Sequence, residues 1–161
     1  MGPGVVFRRA SRPDWAQLQA IELASFNGDR LSPRSLRRWI DAPTGDFYVA
    51  VLAGQVVGYG LIIFRRGSRS GRLYSIALAP AGRGQGLGRG LLQVLQQCAK
   101  RRGCKDVRLE VAQSNAPAQA LYQRCGYRLI GHRAGYYENG DDACLMCCSL
   151  GAPAPAVQIG Y

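Results

Sequence analysis

The chain has 161 residues, 47% of them hydrophobic, which is enough for one domain with a buried core. No run approaches the roughly 18 apolar residues of a membrane span, and the start MGPGVVFRRASRPDW lacks the continuous apolar segment of a secretory signal, so a soluble cytoplasmic protein without a membrane partner is expected. The formal charge of +11 is carried by arginine, with Lys100 and Lys105 the only lysines, and it would draw phosphate-rich or acidic partners. Without an aromatic stacking framework or a zinc-finger or RNP signature, it does not point to nucleic acid.

In chain order, residues 5–10 (VVFRRA) form a short first strand. SRPDW then starts a helix, with Ser11 as cap, Pro13 in the first turn and Asp14 favoured by the helix dipole. The helix WAQLQAIELASF is expected to turn Leu18, Ile21 and either Leu23 or Phe26 inward. Ser32-Pro33 opens a second helix, RSLRRWI. FYVAVL and QVVGYGLIIF are two strands joined in a hairpin at Ala53-Gly54. Gly58 and Gly60 inside the second strand call for a bulge or a close backbone approach. RRGSRSG is a loop, and RLYSIALAP is the next strand.

The stretch RGQGLGRG, residues 83–90, follows. Its glycine spacing fits neither G-x-G-x-x-G nor G-x-x-x-x-G-K-[ST], yet glycines at alternate positions ahead of a helix suit an anion, because backbone N–H groups and the positive end of the dipole converge there. In the helix that follows, Leu87, Leu91, Leu95 and Cys98 recur every turn, and KRRG ends it with cations in the last turn and Gly103 beyond. KDVRLEVA is a strand in which Val107, Leu109 and Val111 face one way, while Glu110 and Arg108 face the other. Asn115 caps the helix APAQALYQRC, and Gly126 stops it. YRLIGHR and ACLMCCSL are the final strands, and GAPAPAVQIGY (residues 151–161) is a flexible tail.

The order of strand, two helices, three strands, helix, strand, helix and two strands describes an α/β domain. Such sheets collect ligands at the carboxyl ends of central strands. The six cysteines do not suggest a metal site. Cys144, Met146 and Cys148 alternate as small apolar residues of a strand do, and His132 is the single histidine.

Two segments carry a resemblance. Arg83-Gly84-Gln85-Gly86-Leu87-Gly88 matches [QR]-x-x-G-x-[GA]. About 30 residues on, Asn115, Ala118, Leu121, Tyr122, Gly126 and Tyr127 match N-x-x-A-x-x-L-Y-x-x-x-G-[FY]. Residues 5–150 thus resemble an N-acetyltransferase of the GNAT superfamily, and within it the ribosomal-protein-alanine (RimI-type) branch. The resemblance implies a single-domain fold with a mixed, mostly antiparallel central sheet flanked by helices, and acetyl-CoA as donor. It also implies that the amides of Gly84 through Arg89 hold the pyrophosphate, with Gln85 and Leu87 in the same loop and Arg83 either on phosphate or supporting the loop. Ile76, Ala77 and Leu78 would offer their backbone to the pantetheine arm, and Asn115, Ala118 and Tyr122 would complete the coenzyme side.

In the same branch, Glu110 of RLEVA corresponds to the general base and Tyr122 of ALYQRC to the general acid. The alternatives are an ion pair of Glu110 with Arg108 or a neighbour, and a core tyrosine. Tyr136 and Tyr137 would line the acceptor side or pack between strands. The implied acceptor is the N-terminal α-amine of a protein or peptide, a small-molecule amine and a lysine being the other possibilities; another class altogether is a coenzyme A sensor without turnover. The stretch FNGDRLSPRSLRRW is more basic than the corresponding segment of that branch. With the arginines of residues 30–38 and 65–72 it predicts a preference for acidic peptides.

Overall fold

In the computed structural model, which describes residues 4–25 and 33–151, the chain runs β1 (Val5–Arg9), a 3-10 turn (Arg12–Asp14), α1 (Trp15–Ser25), α2 (Pro33–Asp41), β2 (Gly45–Leu52), β3 (Gln55–Phe64) and β4 (Ser70–Leu78). A second 3-10 turn (Pro80–Gly82), α3 (Leu87–Arg101), β5 (Asp106–Ala112), α4 (Ala116–Arg124), β6 (Arg128–Arg133) and β7 (Ala143–Ser149) complete it. The expected Ser32 cap, the Phe26 alternative and residues 152–161 lie outside the described residues. No described helix is long and apolar enough to cross a membrane.

The strands form one seven-stranded sheet in the order β1-β2-β3-β4-β5-β7-β6. Every pairing is antiparallel except β4 with β5, whose crossover is α3. This is the mixed, mostly antiparallel α/β sheet the sequence implies. On one face α3 buries Leu87, Leu91, Leu95 and Cys98. It comes close because β3 offers glycines: a Cβ on Gly60 would lie 2.8 Å from Leu95 Cδ1, and one on Gly58 would lie 3.6 Å from Leu91 Cδ1. Cys144, Met146 and Cys148 are buried on β7 as expected, and all six cysteines are free thiols.

On the other face, α1 and α2 set Leu18, Ile21 and Leu36 over Phe47, Val49, Tyr59, Leu61 and Ala77. Of the two residues named for the third inward place, only Leu23 lies among the described residues, and it is not inward. Leu23 is 63% exposed and Glu22, only 3% exposed, takes the inward place. Helical spacing explains it, since 18, 21 and 22 share a stripe whereas 23 falls outside it. The buried Glu22 carboxylate accepts a hydrogen bond from the Tyr59 hydroxyl, which also meets Ser75 Oγ at 2.8 Å. Burial, reinforced by Glu22, raises the pKa of that phenol.

Two irregularities shape the middle of the sheet. β4 pairs with β5 only from Ser70–Asp106 to Arg72–Arg108. Just beyond, Tyr74 bulges out of the β3 ladder between Leu73, opposite Ile62, and Ser75, opposite Leu61. β4 stays paired with β3 as far as Leu78 and β5 with β7 as far as Ala112, so the two halves of the sheet part beyond Arg72 and leave a split. At the far end of α3, Asp46 binds Arg9 at 2.6 Å and Arg102 at 2.9 Å, fastening the helix to β1 and β2.

Candidate active site

The split is bordered on one side by the glycine loop. Gly84 and Gly86 adopt φ of +75° and +74°, values that side chains disfavour, and a Cβ on either would meet nothing within 4 Å, so the space above them is open. Gly86 precedes α3 as its cap residue, with no side chain capping the helix. Gly90 N is the first helix amide with a backbone acceptor, Gly86 O at 3.1 Å. The amides of Leu87, Gly88 and Arg89 have none among the described residues. Arg83 Nε donates to Leu78 O at 3.2 Å and Gln85 Nε2 to Ala81 O at 2.8 Å, so both side chains brace the loop, while Arg89 is exposed. Gly88 is buried, and a Cβ there would lie 3.3 Å from Leu121 Cδ2. Open space, unpaired amides and a positive helix end suit a pyrophosphate.

The backbone of β4 has a defined phase. Ala79 N donates to Val57 O at 2.8 Å, and in an antiparallel ladder the bonded pairs alternate. With Ala77 opposite Tyr59 and Ser75 opposite Leu61, the amides of Ala77 and Ser75 point to β3, while those of Ile76 and Leu78 point into the split. Across the gap, Asn115 Oδ1 accepts from Ala118 N at 3.1 Å, the cap the sequence called for. Gln119 Nε2 ties α4 to Ala112 O and Gln113 O at 3.0 and 2.8 Å. Tyr122 lies buried with Leu109 and Val111, edge-on to Tyr127 at 5.7 Å. Burial raises its pKa, so the phenol carries its proton at neutral pH.

Glu110 stands on the opposite face of β5 from Val107, Leu109 and Val111, as the alternation requires. No hydrogen bond joins it to Tyr122 among the described residues. Its partner is Arg72: Nη2 and Nε donate to Oε1 at 2.7 and 3.1 Å. Arg108, the neighbour named from the sequence, instead meets Asp106 at 3.4 Å. Oε2 of Glu110 has no partner among the described residues. Arg72 Nη2 also donates to the hydroxyl of Tyr136, which is edge-on to Tyr137 at 5.0 Å. The Arg72 guanidinium lies over the Tyr74 ring at 5.7 Å, Tyr74 faces Trp39 at 6.3 Å, and Arg38 lies over Trp39 at 5.4 Å.

Sequence reasoning included Arg72 only as the last arginine of residues 65–72, not as the partner of Glu110, and it missed Tyr74 and Trp39. The one available signal was that Arg72 and Tyr74 share a strand face in RLYSIAL; their approach to Glu110 depends on β4 meeting β5, which local pattern does not reveal.

The profile described as the acetyltransferase (GNAT) family matches residues 15–127. N-alpha-acetyltransferase RimI of Mycobacterium tuberculosis is 34% identical over 153 residues, covering 89% of this chain and 92% of its own. An uncharacterized N-acetyltransferase of Methanocaldococcus jannaschii is 35% identical over 143 residues, covering 88% and 90%. Among solved structures, the ribosomal-protein-S18-alanine N-acetyltransferase from Escherichia coli matches with a TM-score of 0.81 at 24% identity, over 92% of this chain and 95% of that one.

Proposed function

From the premise that the chain belongs to the GNAT family of acetyl-CoA-dependent acetyltransferases, we propose that it acetylates the N-terminal α-amine of a protein or peptide. The carrying observation is Glu110 beside the split, with one carboxylate oxygen fixed by Arg72 and the other open. The name of the Mycobacterium tuberculosis relative supports the same acceptor class. Residues 5–150 form the catalytic unit of this proposal and 151–161 a tail outside it; a cytoplasmic location belongs to it as well.

Acetyl-CoA supplies an activated thioester. The amides of residues 84–89 and the start of α3 hold its pyrophosphate, and the amides of Ile76 and Leu78 donate to the pantetheine arm and to the acetyl oxygen, where charge gathers as the amine attacks. Glu110 takes the proton of the attacking amine through Oε2, directly or by way of a water. Tyr122, held protonated by burial, gives its proton to the departing sulfur. An α-amine, with a pKa of about 7.7–8.0 against about 10.4 for lysine, is far more often neutral at pH 7, which suits a single carboxylate base.

The test is a set of peptides with a free α-amine and internal lysines, each matched by a copy blocked at the N-terminus. Free termini should be acetylated and blocked copies should not. Undiminished incorporation into blocked copies would assign the activity to lysine. Acetylation of small amines alone would assign it to metabolite-sized acceptors, and tight acetyl-CoA binding without turnover on any amine would leave a coenzyme A sensor.

A further inference from the structure

The guanidinium that holds Glu110 is only partly used. Arg72 spends Nε and Nη2 on Glu110 and Tyr136, whereas Nη1 has no hydrogen-bond partner among the described residues, and 40% of the side chain is exposed. Its position is fixed on two sides, by the carboxylate at one edge and by the Tyr74 ring beneath its face. Tyr74, Trp39 and Arg38 continue this wall toward α2, so a pair of aromatic rings lies between two guanidiniums along the acceptor side. Of the three acids in the β6–β7 connection, Asp141 is engaged with Ser114 at 2.6 Å and Asp142 with the amide of Gly135 at 2.9 Å, while Glu138 is exposed and forms no ion pair with Arg72 among the described residues. A guanidinium held in place with Nη1 free is suited to a carboxylate, to which it can donate a charge-assisted hydrogen bond while its other nitrogens stay on Glu110 and Tyr136.

We propose that Arg72 is a specificity-determining residue that binds a carboxylate of the acceptor, an Asp or Glu side chain within the first few residues after the α-amine. This rests on the α-amine reading and narrows the expected preference for acidic peptides from the surface arginine clusters to one side chain. Nε and Nη2 hold the base while Nη1 holds the substrate, so the acidic residue and the amine are positioned by the same group.

The experiment compares kcat and KM for peptide pairs that differ only by Asp against Asn, or Glu against Gln, at the second or third residue. The wild type should favour the acidic member about fivefold to tenfold in kcat/KM, chiefly through KM, as a partly exposed charge-assisted pair allows. In R72Q the ratio should fall to about one, with kcat lowered equally for all peptides because Glu110 loses its support. Thermal stabilisation by acetyl-CoA reports whether the variant is folded. Should it not be, R72K keeps the charge but not a separate donor nitrogen left free while Glu110 is held, and should show a ratio of about two. A wild-type ratio of one, or a ratio unchanged in R72Q or R72K, overturns the assignment. N-terminally blocked copies keep the two readings apart: their acetylation defeats the α-amine reading, whereas an unchanged ratio on free termini with inert blocked copies defeats Arg72 alone.

Discussion

The two banks of the split are built from different materials. The glycine-loop bank presents backbone: amides of residues 84–89 at the start of α3, and the outward amides of Ile76 and Leu78. The opposite bank presents side chains, with Arg72 and Tyr74 from β4, Glu110 from β5, Trp39 from α2 and Tyr136 from the β6–β7 connection. In the proposed function these backbone donors take a group common to every coenzyme A molecule, and they tolerate side-chain change as long as the chain path is kept. Side chains drawn from four segments can be altered one at a time, so acceptor choice can drift while the donor stays the same.

The sharpest way to break this contrast is at the chemistry. Glu110→Gln should lower kcat by about a hundredfold, the lower end of what a general base contributes, while acetyl-CoA affinity by calorimetry stays within about twofold. The deficit should widen as pH falls below about 7.7, where the α-amine is mostly protonated, and narrow above it. Tyr122→Phe should slow turnover across the whole pH range, because the phenol it replaces stays protonated throughout. A variant that loses donor binding together with kcat would erase the distinction between the banks.

The converse substitution is Gly86→Val. At φ +74° a branched side chain is strained by about 1–2 kcal/mol, and relief of that strain turns the amides away. Acetyl-CoA binding should weaken at least about tenfold and the thermal shift it produces should vanish. Unchanged melting of the wild type at saturating acetyl-CoA would defeat the donor assignment itself.

The smallest effect belongs to Asp46, which fastens the other end of α3. Burial acts to raise its pKa, but the hydrogen bonds from Arg102 and Arg9 outweigh it and leave the carboxylate below its usual range. The ionised form therefore stabilises the fold above the ordinary carboxylate pKa of about 3.9, and that contribution is lost as pH falls through the lower folded value. Asp46→Asn should cost about 1–2 kcal/mol in urea unfolding at pH 7 and progressively less in acid, with acetyl-CoA affinity preserved; the partial exposure of both arginines keeps the figure modest.

The same difference in material decides what the sequence discloses. Glycine spacing, the Leu87, Leu91, Leu95 and Cys98 stripe and the Asn115 cap are local signals, and the loop, α3 and the cap of α4 lie where they indicate. Elements of the fold were equally legible, down to the hairpin at Ala53-Gly54. What was illegible needed contacts far apart in the chain. Arg72 and Glu110 are 38 positions apart, Tyr136 is a further 26 on, and the side chain that faces them depends on the bulge at Tyr74. Glu22 was missed for a different reason: inward residues were chosen by apolar character, when spacing alone pointed to position 22.

The phase of β4 has a consequence for exchange with heavy water. Ala77 and Ser75 keep their amides in the ladder with β3, and these deuterate only when the sheet opens. Ile76 and Leu78, one residue away on either side, face the split and depend on what lies in it. Along a single strand of the free protein, slow and fast amides should therefore alternate, and on the proposed donor placement the fast ones should join the slow when acetyl-CoA enters, giving a residue-by-residue record of donor occupancy that needs no acceptor and no turnover.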